Sequence, residues 1–412
     1  MNSNITSLLK IPGFFVTDVR IEKEEIIISA RKRSKTARCP RCLKRTKRMK
    51  DMLPQTKVLH LMLCNQRVYL LFRKRRFICR FCQKIFIEYP SFLSRYQRQT
   101  QYAKYHALER LSDTSFKATT KHLGISYGSL ANLLKKVFTL KNINWPSQQV
   151  KGMIHLGIDE HHFGRSNKYL VTIANLLTGK PIHILPNDKQ LTLIYFLRSL
   201  PQTVKDTITE VAIDMKQSFL GAVLKELPKT RIVIDHFHII QDANRRVNEA
   251  RKIEEDVEEK IKDNGPKRIP WKLLTRNKED LRGSQQELVD YYLKQFPGLS
   301  IFYGCKERLR EMYRQPTKQD AERMLTDLIS FMKDSEYPEL YLWANTLIRY
   351  QPYILNYFDN HTTNAVTEGL HRKFKLIQRT AYGFRNPEVY ARRIMLACLP
   401  LTLLEFLPQH LT

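Results

Sequence analysis

The chain has 412 residues, of which 42% are hydrophobic, and this length is enough for two or three domains with separate cores. Its 70 Lys and Arg residues against 40 Asp and Glu residues give a net charge of +30, which favours a polyanion such as nucleic acid as the partner. No apolar run approaches the roughly 18 residues of a membrane span, and the N-terminus lacks the features of a secretory signal. We therefore expect a soluble cytoplasmic protein with reduced cysteines and no membrane partner.

The excess charge is concentrated in the first part of the chain. Residues 1–150 contain 31 basic and 8 acidic residues, a net charge of +23, which leaves only +7 for the other 262 residues. A ribosomal or histone-like protein more often spreads its charge along the whole chain. The distribution therefore predicts a DNA-binding segment ahead of an enzyme domain.

Residues 1–92 are predicted to form a β-rich module that holds zinc. Stretches of alternating apolar and polar residues flank a run, residues 31–50, that has eleven Lys and Arg residues and no acid. Two Cys-x-x-Cys pairs supply the four thiolates of a closed structural Zn²⁺ site: Cys39, Cys42, Cys79 and Cys82. A redox role for these pairs fits less well among so many basic residues.

Three cysteines of the chain have no paired spacing, and the module also contains a cluster of cations. Cys64, Cys305 and Cys398 lack paired spacing and are expected in the core. Just before the second cysteine pair, four cations are predicted to contact DNA: Arg73, Lys74, Arg75 and Arg76.

Residues 93–148 change to a helical period and are predicted to form a helix-turn-helix domain. Residues 115–137 have the pattern of a short helix, a turn at Gly124 and a second helix. The second helix would present four polar side chains to a DNA groove: Ser126, Tyr127, Ser129 and Asn132. An ordinary helical hairpin has the same pattern, so that alternative stays open. A linker is expected at residues 142–149.

The next segment has the element order of a ribonuclease-H-like sheet, in which three strands are followed by helix, strand, helix and strand. The strands are expected at residues 153–163, 169–177, 181–185, 210–214 and 231–235, and the helices at residues 189–200 and 217–227. Other α/β folds share parts of this order. Residues 236–355 are polar and helical in character, and a last well-patterned helix covers residues 363–379.

Three acids are candidates for a metal site. Asp159 and Asp214 are each expected at the end of an apolar strand, and Glu368 lies on the last helix. Each acid taken alone is as often a turn residue or an ion-pair partner. Asp235 also ends an apolar strand and is the rival acid. Nearby histidines are candidates for a transition-metal site, although such residues are more often hydrogen-bonded structural groups: His161, His162 and His238.

Taken together, these motifs resemble the DDE transposases of the bacterial insertion-sequence L-three (ISL3) family along nearly the whole chain. The motifs are the two-knuckle zinc ribbon, the Ile-Asp-Glu sequence around Asp159, the Ile-Asp-His-Phe-His sequence at residues 234–238, and the pattern Asn364…Glu368-Gly369…Lys375…Arg379…Gly383. The chain departs from the family at His236, where Arg is usual, and at His371, where Asn is usual. The sequence assigns no role to either histidine.

The resemblance implies a multidomain α/β transposase. A ribonuclease-H-like catalytic domain would cover residues 149–398, with a helical insertion at about residues 240–355 and a tail at residues 399–412. Its catalytic residues would be Asp159, Asp214 and Glu368, which would hold two Mg²⁺ or Mn²⁺ ions. Lys375 and Arg379 would contact DNA phosphates, or else form a solvated basic face.

In this interpretation the protein binds the terminal inverted repeats of a mobile element as a homodimer or higher oligomer. It cleaves the DNA to expose a 3′-hydroxyl and then joins that hydroxyl to target DNA. Two rival functions remain open from the sequence: a DNA-binding regulator with a non-catalytic domain, and a structure-selective nuclease of the same fold class.

Overall fold

The computed structural model describes residues 2–139, 143, 145–163, 168–261, 269–381 and 383–399. The chain divides into two compact units. The first contains the residues up to 144 together with those from 375 onward, and the second contains residues 145–374. This division differs from the expected domain ranges because the chain beyond residue 374 groups with the N-terminal part. The three-domain organisation stays a prediction, and the expected tail lies outside the described residues except for Leu399.

The first unit opens with a helix, α1 (Asn2–Leu8), which the sequence analysis did not anticipate. Seven strands follow: β1 (Phe14–Ile21), β2 (Glu25–Lys32), β3 (Ala37–Arg38), β4 (Arg45–Thr46), β5 (Met49–Leu63), β6 (Gln66–Ile78) and β7 (Ile85–Ile87). The main sheet has the order β1-β2-β6-β5, with β7 paired to β6, and β2 runs parallel to β6. The segment is β-rich, as its alternating pattern predicts.

Alternation explains which face of this sheet is buried. Successive side chains of a strand point to opposite faces, so Ile26 and Ile28 on β2 and Val68 and Leu70 on β6 all enter one core. The β5–β6 hairpin turns at Cys64 and Asn65, which have φ angles of 47° and 62°. Cys64 is exposed at this turn, so its expected place in the core is wrong. Cys305 is buried and Cys398 is half-buried.

Three helices complete the N-terminal part of the first unit: α2 (Gln101–Asp113), α3 (Phe116–Leu123) and α4 (Tyr127–Val137). Each begins at a hydroxyl side chain that accepts a backbone N–H, namely Thr100, Ser115 and Ser126. α3 ends at Gly124, whose φ of 64° is a left-handed conformation that glycine adopts at little cost. The helix, turn and helix lie where the sequence placed them.

The second unit is built on a five-stranded sheet. Its strands are β8 (Ile154–Phe163), β9 (Lys168–Asn175), β10 (Lys180–Leu185), β11 (Ile208–Ile213) and β12 (Arg231–Ile234). The order is β10-β9-β8-β11-β12, with β8, β9 and β10 antiparallel and with β11 parallel to both β8 and β12. The elements follow the order expected from the sequence, and this sheet topology is that of a ribonuclease-H-like fold.

Helices surround the sheet and then form a long helical stretch. They are α5 (Gln190–Ser199), α6 (Gln202–Lys205), α7 (Gln217–Glu226), α8 (His236–Ile261), α9 (Trp271–Leu274), α10 (Gly283–Gln295), α11 (Pro297–Met312), α12 (Lys318–Lys333), α13 (Pro338–Leu355), α14 (Tyr357–Asn360) and α15 (Ala365–Thr380). Residues 211–213 of β11 and 232–234 of β12 are continuous apolar runs, and all six residues are buried, as expected for parallel strands covered on both faces. None of the described helices is long and apolar enough to cross a membrane.

One lysine is fully buried among the helices of the second unit. Lys306 on α11 has no exposed surface, and its ammonium group donates to the carbonyls of Leu274 and Arg276 at 2.7 and 3.2 Å. It also lies 2.7 Å from a carboxylate oxygen of Glu307. Two donors of the ammonium are therefore matched by carbonyl oxygens, and the carboxylate of Glu307 supplies the opposite charge that a buried cation requires.

The last helix, α16 (Pro387–Cys398), packs in the first unit against α2 and α4. Leu396 belongs to the same core as Leu108 and Leu134. The buried guanidinium of Arg393 donates to the carbonyls of Ser112 and Thr114 at 2.9 and 3.2 Å. The core of the first unit is thus assembled from both ends of the chain.

Candidate metal centres and DNA-contact residues

The two cysteine pairs meet at one point. Cys39 Sγ lies 3.6 Å from Cys82 Sγ, and Cys42 Sγ lies 3.5 Å from Cys79 Sγ. All four sulfurs lie within 4.8 Å of one another. A tetrahedral Zn²⁺ with Zn–S bonds of 2.3 Å separates its sulfurs by about 3.8 Å, so the cluster fits zinc closely.

The two knuckles have the same backbone geometry. In each, the residue after the second cysteine has a positive φ, 58° at Leu43 and 56° at Gln83. That residue donates its N–H to the first cysteine's carbonyl at 3.0 Å in both knuckles. Burial opposes ionisation of Cys39, but the backbone N–H groups of Cys42 and Arg41 outweigh it and lower its pKa to about 6. The backbone thus favours the thiolate at Cys39, whereas at Cys42 the backbone N–H of Lys44 is outweighed by burial and the neighbouring cysteines, which raise the pKa to about 11.

A second candidate metal centre lies in the sheet of the second unit. Asp159, Asp214 and His238 each offer a ligand atom, and these atoms lie within 4.8 Å of one another. Asp159 is on β8, Asp214 follows β11, and His238 is in the first turn of α8, directly after β12. The three side chains therefore come from one strand, from the residue after a second strand and from the helix that follows a third, and they meet where the parallel pairing of β8, β11 and β12 ends.

Asp159 is buried inside β8 rather than exposed at its end. Only 4% of its surface is exposed, and β8 continues to Phe163 because β9 pairs with its full length. The expected exposed strand end is therefore wrong. The parallel pairing with β11 stops at Ile158, so Asp159 lies just beyond it. Its carboxylate accepts the N–H of Glu160 at 2.7 Å.

His238 connects the two aspartates. Its Nε2 lies 2.6 Å from Asp214 Oδ1 and 3.9 Å from Asp159 Oδ1. Burial opposes a charged imidazole, but contact with Asp214 and the charges of Asp214, Asp159 and Asp235 outweigh it and raise the pKa of His238 to about 9. For Asp159, burial and the nearby Asp214 raise the pKa to about 7. Negative charge is thus in excess at this point, and a cation relieves it.

The oxygen-rich ligand set fits a divalent cation. Carboxylate oxygens are the ligands that Mg²⁺ and Mn²⁺ prefer, and the close polar contact of Asp214 Oδ1 within the described residues is with His238 Nε2. Burial and the charge of Asp214 raise the pKa of Asp159, and a cation bound between the two carboxylates would offset both effects. His238 either completes the ligand set or orients Asp214.

Glu368 is not brought into this group of three. It lies half-buried on the first turn of α15. Within the described residues, the group whose ligand atoms lie within 4.8 Å of one another does not include Glu368. Burial and the charge of Asp235 raise its pKa. Asp235 is 1% exposed, and neither carboxylate oxygen makes a hydrogen bond to the described residues, although His236 Nδ1 lies 3.5 Å away.

The start of α15 packs directly on β8 at Gly157. A Cβ added there would lie 2.6 Å from Leu176 Cδ2, 2.7 Å from Asn364 Oδ1 and 3.1 Å from Thr367 Cγ2. Asn364 Nδ2 donates to the carbonyl of Ile158 at 3.4 Å, and Thr367 Oγ1 lies 3.4 Å from Asp159 Oδ2. The absence of a side chain at residue 157 therefore sets how closely Glu368 approaches the aspartates.

The loop that carries Asp214 is fixed from two sides. Lys216 forms ion pairs with Glu160 on β8 and, at 2.9 Å, with Asp188. Tyr350 on α13 donates its hydroxyl to the carbonyl of Met215 at 3.0 Å. The sequence analysis missed Lys216, although its position two residues after a candidate acid is a usable signal.

The four cations before the second cysteine pair differ in their freedom to contact DNA. Arg73 is exposed and forms no ion pair with the part of the chain that the structure describes. Lys74 lies over the ring of Tyr89. Arg75 is paired with Glu88 at 2.5 Å, and Arg76 forms a two-pronged pair with Asp51, at 2.9 Å for its Nε. To bind a DNA phosphate, Arg75 would have to leave the carboxylate of Glu88, and Arg76 that of Asp51.

The other candidate DNA contacts lie on exposed helix surface. The four on α4 are Ser126, Tyr127, Ser129 and Asn132, while Leu130, Leu133 and Leu134 on the opposite face are buried. Ser126 also caps the helix, and Tyr127 packs against Phe116 at 4.8 Å between ring centroids. Lys375 and Arg379 are exposed on the second half of α15.

Comparisons with known proteins bear on both centres. Residues 156–394 match a family model of the ISL3 group that is described as a transposase. Residues 35–82 match a model described as the zinc-finger of the transposases IS204/IS1001/IS1096/IS1165.

Two curated transposases are also similar to this chain in sequence. The chain is 23% identical over 370 residues to a transposase for insertion sequence element IS1001 of Bordetella parapertussis, covering 88% of this chain and 89% of that protein. It is 24% identical over 267 residues to a transposase for insertion sequence element IS1557 of Mycobacterium tuberculosis, covering 58% of this chain and 59% of that protein.

Proposed function

Because the chain belongs to the ISL3 family of DDE transposases, we propose that it binds the terminal inverted repeats of a bacterial insertion sequence and cleaves and joins DNA with Asp159, Asp214 and Glu368. One observation supports this most: Asp159 and Asp214, far apart in sequence, place their carboxylates within 4.8 Å at one edge of the sheet. The regulator and nuclease interpretations lose their support, because both relatives are named transposases.

The roles proposed for the two parts of the chain follow the distribution of its net charge. Residues 1–92 form the zinc ribbon and residues 93–148 the helix-turn-helix domain, and both bind the element ends. The second unit provides catalysis, with the helices at about residues 240–355 as an insertion before the last acid. The net charge of +23 in residues 1–150 supports a DNA-binding role for that part.

The aspartates act by holding cations against the DNA. Two Mg²⁺ or Mn²⁺ ions there would activate a water or a 3′-hydroxyl on one side of the phosphate and stabilise the leaving oxygen on the other. Asp159 would serve both ions, with Asp214 and Glu368 each completing the ligand set of one ion.

Glu368 has to approach the aspartates to take part, because the group of ligand atoms that lie within 4.8 Å of one another in the described residues does not include it. It is already half-buried on the helix turn that touches Asp159 through Thr367. A Glu side chain has three rotatable bonds and reaches farther than Asp. We propose that DNA and metal together draw Glu368 to the aspartates.

DNA contacts are assigned to the exposed groups described above. In the zinc ribbon these are Arg73, Lys74, Arg75 and Arg76, and on α4 they are Ser126, Tyr127, Ser129 and Asn132. Lys375 and Arg379 bind phosphates. Transposition joins two element ends, whereas the described part of one chain has one acidic group of this kind, so we also propose a homodimer or higher oligomer on DNA, which light scattering of the complex would measure.

The experiment is a cleavage and strand-transfer assay with the full chain, labelled element ends and Mg²⁺. Glu368→Gln and Asp214→Asn should each abolish both steps yet leave end binding largely intact, because a neutral amide cannot stabilise a metal as a carboxylate does. Glu322→Gln, an exposed residue on α12, is the matched control and should be fully active.

A fourth variant, Asp235→Asn, decides between the rival acids. Activity in Asp235→Asn with none in Glu368→Gln supports the proposed trio. Full strand transfer by Glu368→Gln, with none by Asp235→Asn, would show that Asp235 is the third acid.

A further inference from the structure

A chain of buried polar groups leads from the interior of the second unit to Asp159. His161 Nδ1 lies 3.2 Å from Thr172 Oγ1, which lies 3.0 Å from His371 Nε2. At the other side of its ring, His371 Nδ1 lies 3.5 Å from Asp159 Oδ2. Three of these residues are almost completely buried: Asp159, His161 and Thr172 have 4%, 5% and 0% of their surface exposed.

The register of strands β8 and β9 and the period of helix α15 bring these groups next to one another. Thr172 on β9 is the direct partner of Asp159 on β8, and His161 is two residues farther along β8, so all three face the same side of the sheet. His371 is one helical turn after Thr367 on α15, which also touches Asp159. The ring of Phe374 packs against both histidines, at 5.2 and 5.6 Å between centroids.

The polar contacts of this chain of groups have one consistent donor direction when Asp159 is ionised. A carboxylate only accepts, so Nδ1 of His371 must carry the proton that faces Asp159. In a neutral imidazole the other nitrogen then accepts, and the donor that faces it is the Thr172 hydroxyl. That hydroxyl in turn accepts the Nδ1 proton of His161. Every donor therefore points toward Asp159.

We infer that His371 is a positioning residue for Asp159, and that Thr172 and His161 fix its tautomer and ring orientation so that one carboxylate oxygen is held for metal binding. The inference rests on the proposed role of Asp159 as a metal ligand. Partners of this kind, one step behind a ligand, typically change metal affinity about 10–100-fold. They do so without touching the metal or the DNA.

Two substitutions of Thr172 separate positioning from packing. Thr172→Val keeps the shape and removes the hydroxyl, whereas Thr172→Ser keeps the hydroxyl and removes a methyl group. In calorimetric titrations of the full chain with Mn²⁺, Thr172→Val should bind about 10-fold more weakly and Thr172→Ser nearly as well as the unaltered protein. If the residue acts only through packing, the order of the two variants is reversed, and that result overturns the inference.

A spectroscopic measurement tests the direction of the chain. With ¹⁵N-labelled histidine and Mg²⁺ bound, the resonances of His371, identified by their loss in His371→Asn, should show a protonated Nδ1 and an unprotonated Nε2. His371→Asn keeps an N–H donor and should retain more Mn²⁺ affinity than His371→Leu. A protonated Nε2 in the Mg²⁺-bound protein would overturn the inference.

The failure of this inference is distinguishable from failure of the proposed function. If Asp159→Asn binds Mn²⁺ as well as the unaltered protein, the metal site itself is wrong. If Asp159→Asn loses Mn²⁺ while Thr172→Val and His371→Leu bind normally, the metal site stands and the positioning role falls. Circular dichroism and urea unfolding of each variant show that the comparison is between folded proteins.

Discussion

Replacement of Gly157 by Ala tests whether the close packing of α15 on β8 builds the acidic site. The new Cβ would lie 2.6–2.7 Å from Leu176 and Asn364 and 3.1 Å from Thr367. Ordinary contacts between carbon atoms are about 3.5–4.0 Å, so the fully buried side chains of Asn364 and Thr367 have to move away from β8 by up to about 1 Å, and we expect the first turn of α15 to move with them. That turn also carries Glu368.

The two consequences of this movement differ in size. Overpacking of a core costs about 1–3 kcal/mol of unfolding free energy, whereas misplacement of a catalytic group by about 1 Å can slow a reaction about 100-fold. We therefore expect folded Gly157→Ala to join DNA ends about 100-fold more slowly while it remains stable enough to purify. The assay is the rate of strand transfer with saturating element ends, measured beside urea unfolding of the same preparation.

Gly221→Ala is the matched control, because the same change occurs on the same unit without crowding the site. Its Cβ would meet only Nε2 of Gln190, at 2.8 Å, and the end of that side chain can move. Gly221 lies inside α7, where Ala is favoured over Gly by up to about 1 kcal/mol. This control should be fully active and no less stable. Strand transfer at the unaltered rate by folded Gly157→Ala would refute the reasoning.

Three further predictions concern other parts of the molecule. Cys79→Ser should lose stoichiometric zinc and much of the affinity for DNA, while the exposed Cys64→Ser keeps both; metal analysis that finds one zinc per chain in Cys79→Ser would contradict this. Lys306→Met leaves two buried carbonyls without a donor and should lower the unfolding free energy by about 1–3 kcal/mol, so unchanged urea unfolding would count against the assigned contacts. In the metal-free protein, Asp214→Asn should lower the pKa of His238 from about 9 toward its usual 6.5, as NMR titration would measure; an unchanged pKa means that Asp214 is not the cause.

The sequence was most informative where a local pattern and a fold rule agree. The apolar runs that became β8, β11 and β12 are separated by turn residues and helical stretches, so the order of elements follows from periodicity alone. The meeting of Asp159 and Asp214 follows next, because the carboxyl ends of adjacent parallel strands share one edge. The sequence predicted the strand at residues 153–163 but not the burial of Asp159 inside it, since that burial depends on the neighbouring strand β9 and on α15.

The sequence was least informative about side chains brought together by long-range packing. His238 was noted only as one of three scattered histidines, and its contact with Asp214 depends on the immediate passage from β12 into α8. The polar chain through Thr172 depends on the docking of α15 almost 200 residues later. A spacing of three between Asp235 and His238 was visible, but spacing alone does not tell which of the two faces the metal site.

The contribution of α16 to the first unit has a consequence for how the protein is made. A ribosome emits the chain from the N-terminus at about 5–20 residues per second, so the residues of α2 and α4 leave it long before their partner helix exists. The second unit has all of its residues by position 374 and can fold first. Until Arg393 and Leu396 arrive, the growing chain exposes the apolar surface of α2 and α4 beside a strongly basic module. The nascent protein therefore completes its acidic centre before the core of its basic unit can close.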